Sequence, residues 1–178
     1  MTKAVRARLY DLPTYRNDGC VNAVIESPRG CGVKITYNAE LDVFDYGKAL
    51  PVGTTYPYCW GFIPGTKGND GDPLDILVLT DAPSYPGVVV SARLIGVLLL
   101  DERNGKKRER NDRLVAVPAE APRIADGIRS VDDLPERLRR EIEEFFLDTT
   151  LFTRKDARCL GWKGPKFAAK LVRQSRRR

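Results

Sequence analysis

The stretch that most constrains this chain is an acidic turn that leads directly into an apolar strand, NDGDPLDILVL from Asn69 to Leu79. Asp70, Asp72 and Asp75 lie within six positions of one another. The intervening glycine and proline restrict the backbone to a stiff corner, and in an extended chain Asp70 and Asp72 point to the same side. Carboxylates held this close repel one another unless a cation neutralises them, and oxygen ligands suit Mg²⁺ or Mn²⁺.

Turn formation alone explains the same residues, because Asp, Gly and Pro are the commonest turn formers. The stretch is not an EF-hand calcium loop, since the sixth and twelfth positions from Asp70 are Asp75 and Asp81, where that motif has Gly and Glu. The acidic stretch by itself leaves both a simple turn and a divalent metal site open.

The composition predicts one globular domain over residues 1–178, with a basic tail at 174–178, because 42% of the residues are hydrophobic and 30% are charged. The chain has no histidine, so the commonest general base is missing and carboxylates or metal-bound water remain. No apolar run is long enough to cross a membrane and the N-terminus lacks a signal-peptide core, which predicts a cytoplasmic protein without a membrane partner.

The formal net charge of +6 suits a small, phosphate-rich substrate. Much of this charge lies at positions 106–110 and 176–178, where no aromatic residues are interleaved with it. We therefore do not expect a nucleic-acid partner.

Short apolar and β-branched runs, separated by Gly and Pro, predict strands over most of the chain. The predicted strands are Val21 to Glu26, Gly32 to Tyr37, Glu40 to Phe44, Ile76 to Leu79, Val88 to Leu100 as one bent strand or two, and Leu114 to Pro118. Such a series favours an antiparallel barrel or sandwich. Helical spacing appears only late, from Leu134 to Phe146 and from Lys166 to Val172.

The order of motifs resembles that of soluble family I inorganic pyrophosphatases from about Val21 to Leu171. The matching blocks are VIESP (Val24 to Pro28), Lys34, YPYCWGFIPGT (Tyr56 to Thr66), DGDPLD (Asp70 to Asp75), IGVLLLDE (Ile95 to Glu102), RLVAVP (Arg113 to Pro118), DLPERLRREIEEFF (Asp133 to Phe146) and Gly161-Trp162. The resemblance implies a mainly β, α+β fold, namely an OB-like antiparallel β-barrel with two flanking C-terminal helices. It also implies Mg²⁺-dependent hydrolysis of diphosphate by homo-oligomers, which in prokaryotic members are often hexamers.

The same resemblance implies roles for individual residues. The implied metal-binding carboxylates are Asp70, Asp75, Asp101 and Glu26. The implied catalytic residues are the base that deprotonates water, Asp72, and the phosphate ligands Lys34, Lys48 and Arg113. In such a site Mg²⁺, with Mn²⁺ as a second candidate, bridges the phosphates and lowers the pKa of the attacking water.

Several positions depart from the family's pattern. They are Thr36 and Asn111 in place of carboxylates, Trp60 in place of a Tyr, and Thr149-Thr150 in place of a Tyr-Lys pair. A one-residue slip to Asp112 would restore one carboxylate. Extra residues from Arg103 to Arg110 lengthen a loop that is either the mouth of the site or a solvated hairpin tip.

Three functions are therefore open. The first is a divergent Mg²⁺-dependent pyrophosphatase. The second is an enzyme for an organic diphosphate, for which Trp60 would offer an aromatic face. The third is a non-catalytic relative that binds a phosphorylated ligand or a protein, which the retained aspartates disfavour.

Overall fold

The structure is a computed structural model that describes residues 8–120 and 126–177. The strands are β1 (Val21–Ser27), β2 (Val33–Asn38), β3 (Val43–Ala49), β4 (Cys59–Ile63), β5 (Leu74–Val78), β6 (Val89–Asn104), β7 (Lys107–Arg110), β8 (Arg113–Pro118) and β9 (Arg158–Lys163). The α-helices are α1 (Glu136–Asp148) and α2 (Pro165–Ser175), and single 3₁₀ turns cover Leu9–Asp11 and Val131–Asp133.

Five strands form a nearly closed ring in the order β1, β4, β5, β8 and β6, and β6 pairs back with β1. The prediction of a mainly β, barrel-like fold with two C-terminal helices is confirmed. The expectation of a wholly antiparallel barrel is wrong at one pair, because β5 and β8 run parallel, with Ile76 opposite Leu114. A ring with an odd number of strands requires at least one parallel pair, since directions cannot alternate around it.

The observed strands differ from the prediction in several places. The third strand begins at Val43, because the Asn38 side chain accepts hydrogen bonds from the backbone N–H groups of Glu40 and Leu41 and closes a turn there. The extra residues 103–110 form the end of β6, a turn at Gly105 and Lys106, and β7, so they are a hairpin. Neither β4 nor β9 was predicted as a strand, and β9 pairs with the outer half of β6.

The two faces of the strands pack against different helices. Leu98 and Leu100 of β6 belong to a core cluster with Ile142, Phe145 and Phe146 of α1. The alternate residues of β6, including Val97 and Leu99, belong to a second cluster with Ala168 and Val172 of α2. A bulge at Ile95, between the residues paired with Ala116 and Val115, shifts this alternation by one residue. Beyond Ile95, each side chain of β6 therefore lies on the opposite face from the one it would occupy in a strand without the bulge.

The ring closes tightly where β1 meets β4. A Cβ atom at Gly61 would lie 1.8 Å from the carbonyl oxygen of Val24, so only glycine fits at this position. Neither α1, α2 nor any other helix in the described ranges combines the length and apolar character that a membrane crossing needs.

Candidate active site

The acidic turn connects β4 to β5, and local hydrogen bonds fix its shape. Oδ1 of Asp70 accepts from the backbone N–H of Asp72 at 3.1 Å, and the N–H of Gly68 donates to the carbonyl of Asp72 at 2.7 Å. Gly71 has φ of 94°, which residues with a side chain rarely adopt. The turn replaces the extended geometry expected from strand alternation, yet Asp70 and Asp72 line the same cleft.

The C-terminal segment braces this turn from outside. The N–H of Lys67 donates to the carbonyl of Ser175 at 2.7 Å, and Nε of Arg177 donates to the carbonyl of Thr66 at 3.0 Å. The expectation of a free tail from residue 174 is therefore wrong for residues 174–177, because α2 continues to Ser175 and Arg176 pairs with Thr66. Residue 178 lies outside the described residues.

A cleft of about 220 Å³ brings most of the predicted site residues together. Its lining includes four carboxylates and four cations, namely Asp70, Asp72, Asp75 and Glu102 with Lys34, Lys48, Arg113 and Lys155. The formal charges of these side chains cancel. A diphosphate bound among the carboxylates therefore needs further positive charge.

Arg113 joins the carboxylates at the centre of the cleft. Its guanidinium donates to Asp75 and, at 2.9 Å, to Oε1 of Glu102. Lys155 donates to the other oxygen of Glu102 at 2.8 Å. Burial opposes ionisation of Glu102, but the two cations outweigh it and hold the pKa of this carboxyl below its usual value. Burial raises the pKa of Asp75, although Arg113 and Lys34 act in the opposite direction.

Asp101 does not line the cleft, contrary to its predicted place among the metal-binding carboxylates. Its carboxylate accepts from Nε of Arg108 at 2.8 Å, and these hydrogen bonds lower its pKa. Glu102 lies in the cleft instead, because it falls on the same face of β6 as Leu98 and Leu100. Counting alternate residues from Leu98 would have identified Glu102 from the sequence.

Glu26 lies behind the cleft and is buried, with 6% of its surface exposed. Its Oε1 accepts from the backbone N–H of Tyr37 at 2.7 Å. Burial raises the pKa of Glu26 to about 7, the Tyr37 hydrogen bond opposes this shift, and the charge of nearby Asp75 adds to it. Glu26 is thus coupled electrostatically to the cleft without being part of its lining.

The three predicted phosphate-binding residues all line the cleft, where Lys34 and Lys48 are exposed and Arg113 is buried. Nζ of Lys48 donates to the carbonyl of Thr149 at 3.2 Å, which ties β3 to the end of α1. Sequence reasoning missed Lys155, which reaches the cleft from the irregular segment after α1.

Trp60 does not offer the free aromatic face that an organic substituent would need. It is 3% exposed, Arg113 lies 5.3 Å from its ring centroid, and Phe146 and Tyr56 pack beside it. Its indole Nε1 is buried and has no hydrogen-bond partner among the described residues. Of the alternatives drawn from the sequence, the organic diphosphate therefore loses its structural support.

The cleft fits a hard divalent cation by the chemistry of its donors. Asp70, Asp72, Asp75 and Glu102 supply carboxylate oxygens, and Asn111 adds an amide oxygen in the same lining. Within residues 8–120 and 126–177, no three acidic or thiol side chains are spaced to share one ion. Two of the carboxylates, Asp75 and Glu102, are paired with Arg113 instead.

Oxygen donors for a divalent cation lie beside lysines and an arginine, in a water-accessible cleft at the side of a five-stranded ring. These features define the class of metal-assisted phosphoryl-transfer hydrolases. The sequence model of the family described as inorganic pyrophosphatase matches residues 23–178. The chain belongs to the inorganic pyrophosphatase family and is a hydrolase of that family.

Individual relatives agree with this assignment. The inorganic pyrophosphatase of Synechocystis is 34% identical over 163 residues, which cover 92% of this chain and 94% of the relative. That of Thermus thermophilus is 38% identical over 156 residues, or 86% of each chain. The crystal structure of inorganic pyrophosphatase from Thermus thermophilus superimposes with a TM-score of 0.87 and covers 95% of this chain and 97% of its own.

Proposed function

We propose that this chain hydrolyses inorganic diphosphate to two phosphates in the cleft between the acidic turn and the end of α1, with Mg²⁺ as its metal. The observation that supports this proposal is the lining of the cleft, where four carboxylates and four cations surround one volume of about 220 Å³. Carboxylates serve a metal and cations serve phosphate oxygens, so a metal–diphosphate complex satisfies both sets.

In this proposal Asp70, Asp75 and Glu102 hold Mg²⁺, with Mn²⁺ as an alternative ion. When bound, the ion supplies positive charge to the phosphates and lowers the pKa of a water. Glu102 takes the role that the family resemblance assigned to Asp101, because Glu102 is the one of the two that lines the cleft. Glu26 lies outside the lining of the cleft and acts on the site only through the charge of its carboxylate.

Lys34, Lys48, Arg113 and Lys155 bind phosphate oxygens in this proposal, and Asp72 accepts the proton of the attacking water. Asp72 is exposed in the cleft, and its carboxylate takes part in none of the hydrogen bonds or ion pairs within the described ranges. It is therefore available as a base, whereas Asp75 and Glu102 are occupied by Arg113.

The test is phosphate release from inorganic diphosphate with Mg²⁺ by the wild type, Asp72→Asn and Asp81→Asn. Asp81 is an exposed aspartate outside the cleft and serves as the matched control. We expect Asp72→Asn to lower turnover by ~10²–10⁴, the range for removal of a positioned base, with little change in Mg²⁺ affinity by calorimetry. Phosphate release by the wild type no faster than the buffer blank would contradict the proposed function.

The family resemblance also leads us to propose a homo-oligomer, with six copies as the candidate. Leu41, Val43 and Tyr46 on the β2–β3 hairpin are exposed, with Tyr46 at 72%, and are available for contacts between copies. Light scattering on the purified chain would show a monomeric mass if this proposal is wrong.

A further inference from the structure

A second and larger cavity adjoins the cleft. It has a volume of about 810 Å³ and lies between the β6–β7 hairpin and the segment that follows α1. We call it the hairpin groove. It shares Asp70, Glu102, Asn111 and Lys155 with the cleft, so these side chains form a common wall. A ligand longer than a diphosphate can extend past this wall into the groove.

The chemistry of the groove restricts what it can bind. The described residues that line it are all acidic, basic or amide residues, together with one glycine. No aromatic or aliphatic side chain among them provides a surface on which a nucleobase or a prenyl chain could pack. Four cations outnumber three carboxylates in this lining, namely Arg103, Arg110, Arg154 and Lys155 against Asp70, Glu102 and Glu109. The groove therefore suits a strongly hydrated anion.

One of the groove's cations, Arg154, is free to meet such an anion. Arg154 is exposed and takes part in no hydrogen bond or ion pair within the part of the chain that the structure describes. Lys155 stands at the common wall, where its half-exposed side chain pairs with Glu102. By contrast, Arg110 is held by Asp112 at 2.7 Å.

We propose that the hairpin groove binds the third phosphate of inorganic tripolyphosphate, and that the chain hydrolyses this substrate as well as diphosphate. The inference rests on the proposed function, because the same cleft performs both reactions. Arg154 determines the specificity, since it lines the groove but not the cleft and can donate charge-assisted hydrogen bonds to the phosphate beyond the cleft.

The reaction consumes one water. The oxygen of the water forms a bond to the terminal phosphorus that lies in the cleft. The bond from that phosphorus to its bridging oxygen breaks, and the bridging oxygen leaves with the diphosphate. One proton of the water stays on the new orthophosphate, and the other passes through Asp72 to the diphosphate or to solvent. The diphosphate is then a substrate for the same cleft.

The experiment compares kcat/KM for tripolyphosphate and for diphosphate, both with Mg²⁺, in the wild type, Arg154→Met and Arg137→Met. Arg137 lies on the exposed face of α1, lines neither cavity, and loses the same charge. We expect the ratio of tripolyphosphate to diphosphate efficiency to fall about tenfold or more in Arg154→Met, the effect of one lost charge-assisted hydrogen bond, and to stay unchanged in Arg137→Met.

Three results would overturn the inference while leaving diphosphate hydrolysis intact. They are a wild type that cleaves diphosphate but not tripolyphosphate, a ratio that is equal in Arg154→Met and the wild type, and a preference for ADP over tripolyphosphate. If the wild type cleaves neither inorganic substrate, the proposed function fails. Calorimetric titration with tripolyphosphate then decides on the groove, because equal affinity in wild type and Arg154→Met excludes binding of the third phosphate there.

Discussion

Nη2 of Arg113 donates to Oε1 of Glu102 at 2.9 Å, and the same guanidinium also contacts Asp75. Arg113 is 7% exposed and lies over the rings of Trp60 and Phe146, and besides these acids it donates to Oδ1 of Asn111 at 2.6 Å. One buried cation thus pairs with two of the three carboxylates that we assign to Mg²⁺. Arg113 and the metal therefore compete for the same negative charge.

We expect Arg113→Met to be strongly destabilising without metal, by roughly 3–5 kcal/mol, because it leaves Asp75 without its cation and Glu102 with Lys155 alone. Mg²⁺ should then stabilise the variant more than it stabilises the wild type, since it neutralises the carboxylates that have lost Arg113. Thermal unfolding in EDTA and in Mg²⁺ measures both effects. Arg158→Met, which changes the same charge at a half-exposed site, is the control, and an equal Mg²⁺ response in all three proteins would contradict the competition.

Asp101 and Glu102 are neighbours on β6 that face opposite ways, which makes a matched pair of variants. We expect Glu102→Gln to lower Mg²⁺ affinity about tenfold or more, because one charged ligand is lost. Asp101→Asn should leave Mg²⁺ affinity nearly unchanged and lower the free energy of unfolding by about 1 kcal/mol through its bonds to Arg108. Calorimetry measures the Mg²⁺ affinity of each variant, and urea unfolding measures its stability. A loss of Mg²⁺ affinity in Asp101→Asn but not in Glu102→Gln would assign the ligand role to Asp101.

The sequence predicts well three of the strands that pack on both faces. β1, β5 and β8 are short apolar runs bounded by turn residues, and each lies within two residues of its predicted position. β4 is also buried, but its stretch is punctuated by Gly and Pro and was not predicted as a strand. β7 and β9 have no apolar pattern, since β7 reads KRER and none of the residues of β9 is buried. They are strands only because β6 extends to Asn104 and offers them an edge, and periodicity in their own sequences cannot reveal this.

The site was predictable where its residues are local. Asp70, Asp72 and Asp75 lie together because one turn holds them, whatever the rest of the chain does. Glu102 was missed because the family resemblance gave the ligand role to Asp101, and alternation read from the start of β6 could not have corrected it without counting the bulge at Ile95. Lys155 was missed because its contact with Glu102 joins residues 53 positions apart, and only the fold brings them together.

Glu26 gives the protein a measurable pH dependence in the absence of metal. Burial raises the pKa of its carboxyl from 4.5 to about 7, so the folded state binds the proton more tightly than the unfolded chain. The stability from this proton is present in full below pH 4.5 and is lost as the pH rises to about 7. The loss is roughly 3 kcal/mol from a shift of this size.

Glu26→Gln should remove that loss, since a neutral amide keeps an oxygen for the N–H of Tyr37 but does not ionise. Relative to the wild type, the variant should gain about 3 kcal/mol of stability between pH 4.5 and pH 8. Urea unfolding of both proteins in EDTA across this range is the measurement. Parallel stability curves would show that Glu26 titrates near its ordinary pKa.

The last prediction concerns Thr149 and Thr150 at the end of α1, which line the cleft. Their hydroxyls donate to the carbonyls of Phe146 and Leu147, at 2.7 and 2.8 Å, so these hydrogens are not directed at a phosphate. A Tyr-Lys pair, as the family resemblance implies, would supply a phenol and a charge at this end of the cleft. Such donors contribute most where water is excluded.

We expect Thr149→Tyr/Thr150→Lys to lower the KM for inorganic diphosphate by about tenfold, the effect of one charge-assisted hydrogen bond. The control is Thr149→Phe/Thr150→Met, which adds similar bulk without a donor and should give no gain. Phosphate-release kinetics with Mg²⁺ distinguish the two variants. If both variants and the wild type have the same KM, the two threonines do not weaken substrate binding. The cations already in the cleft are then sufficient to bind diphosphate, namely Lys34, Lys48, Arg113 and Lys155.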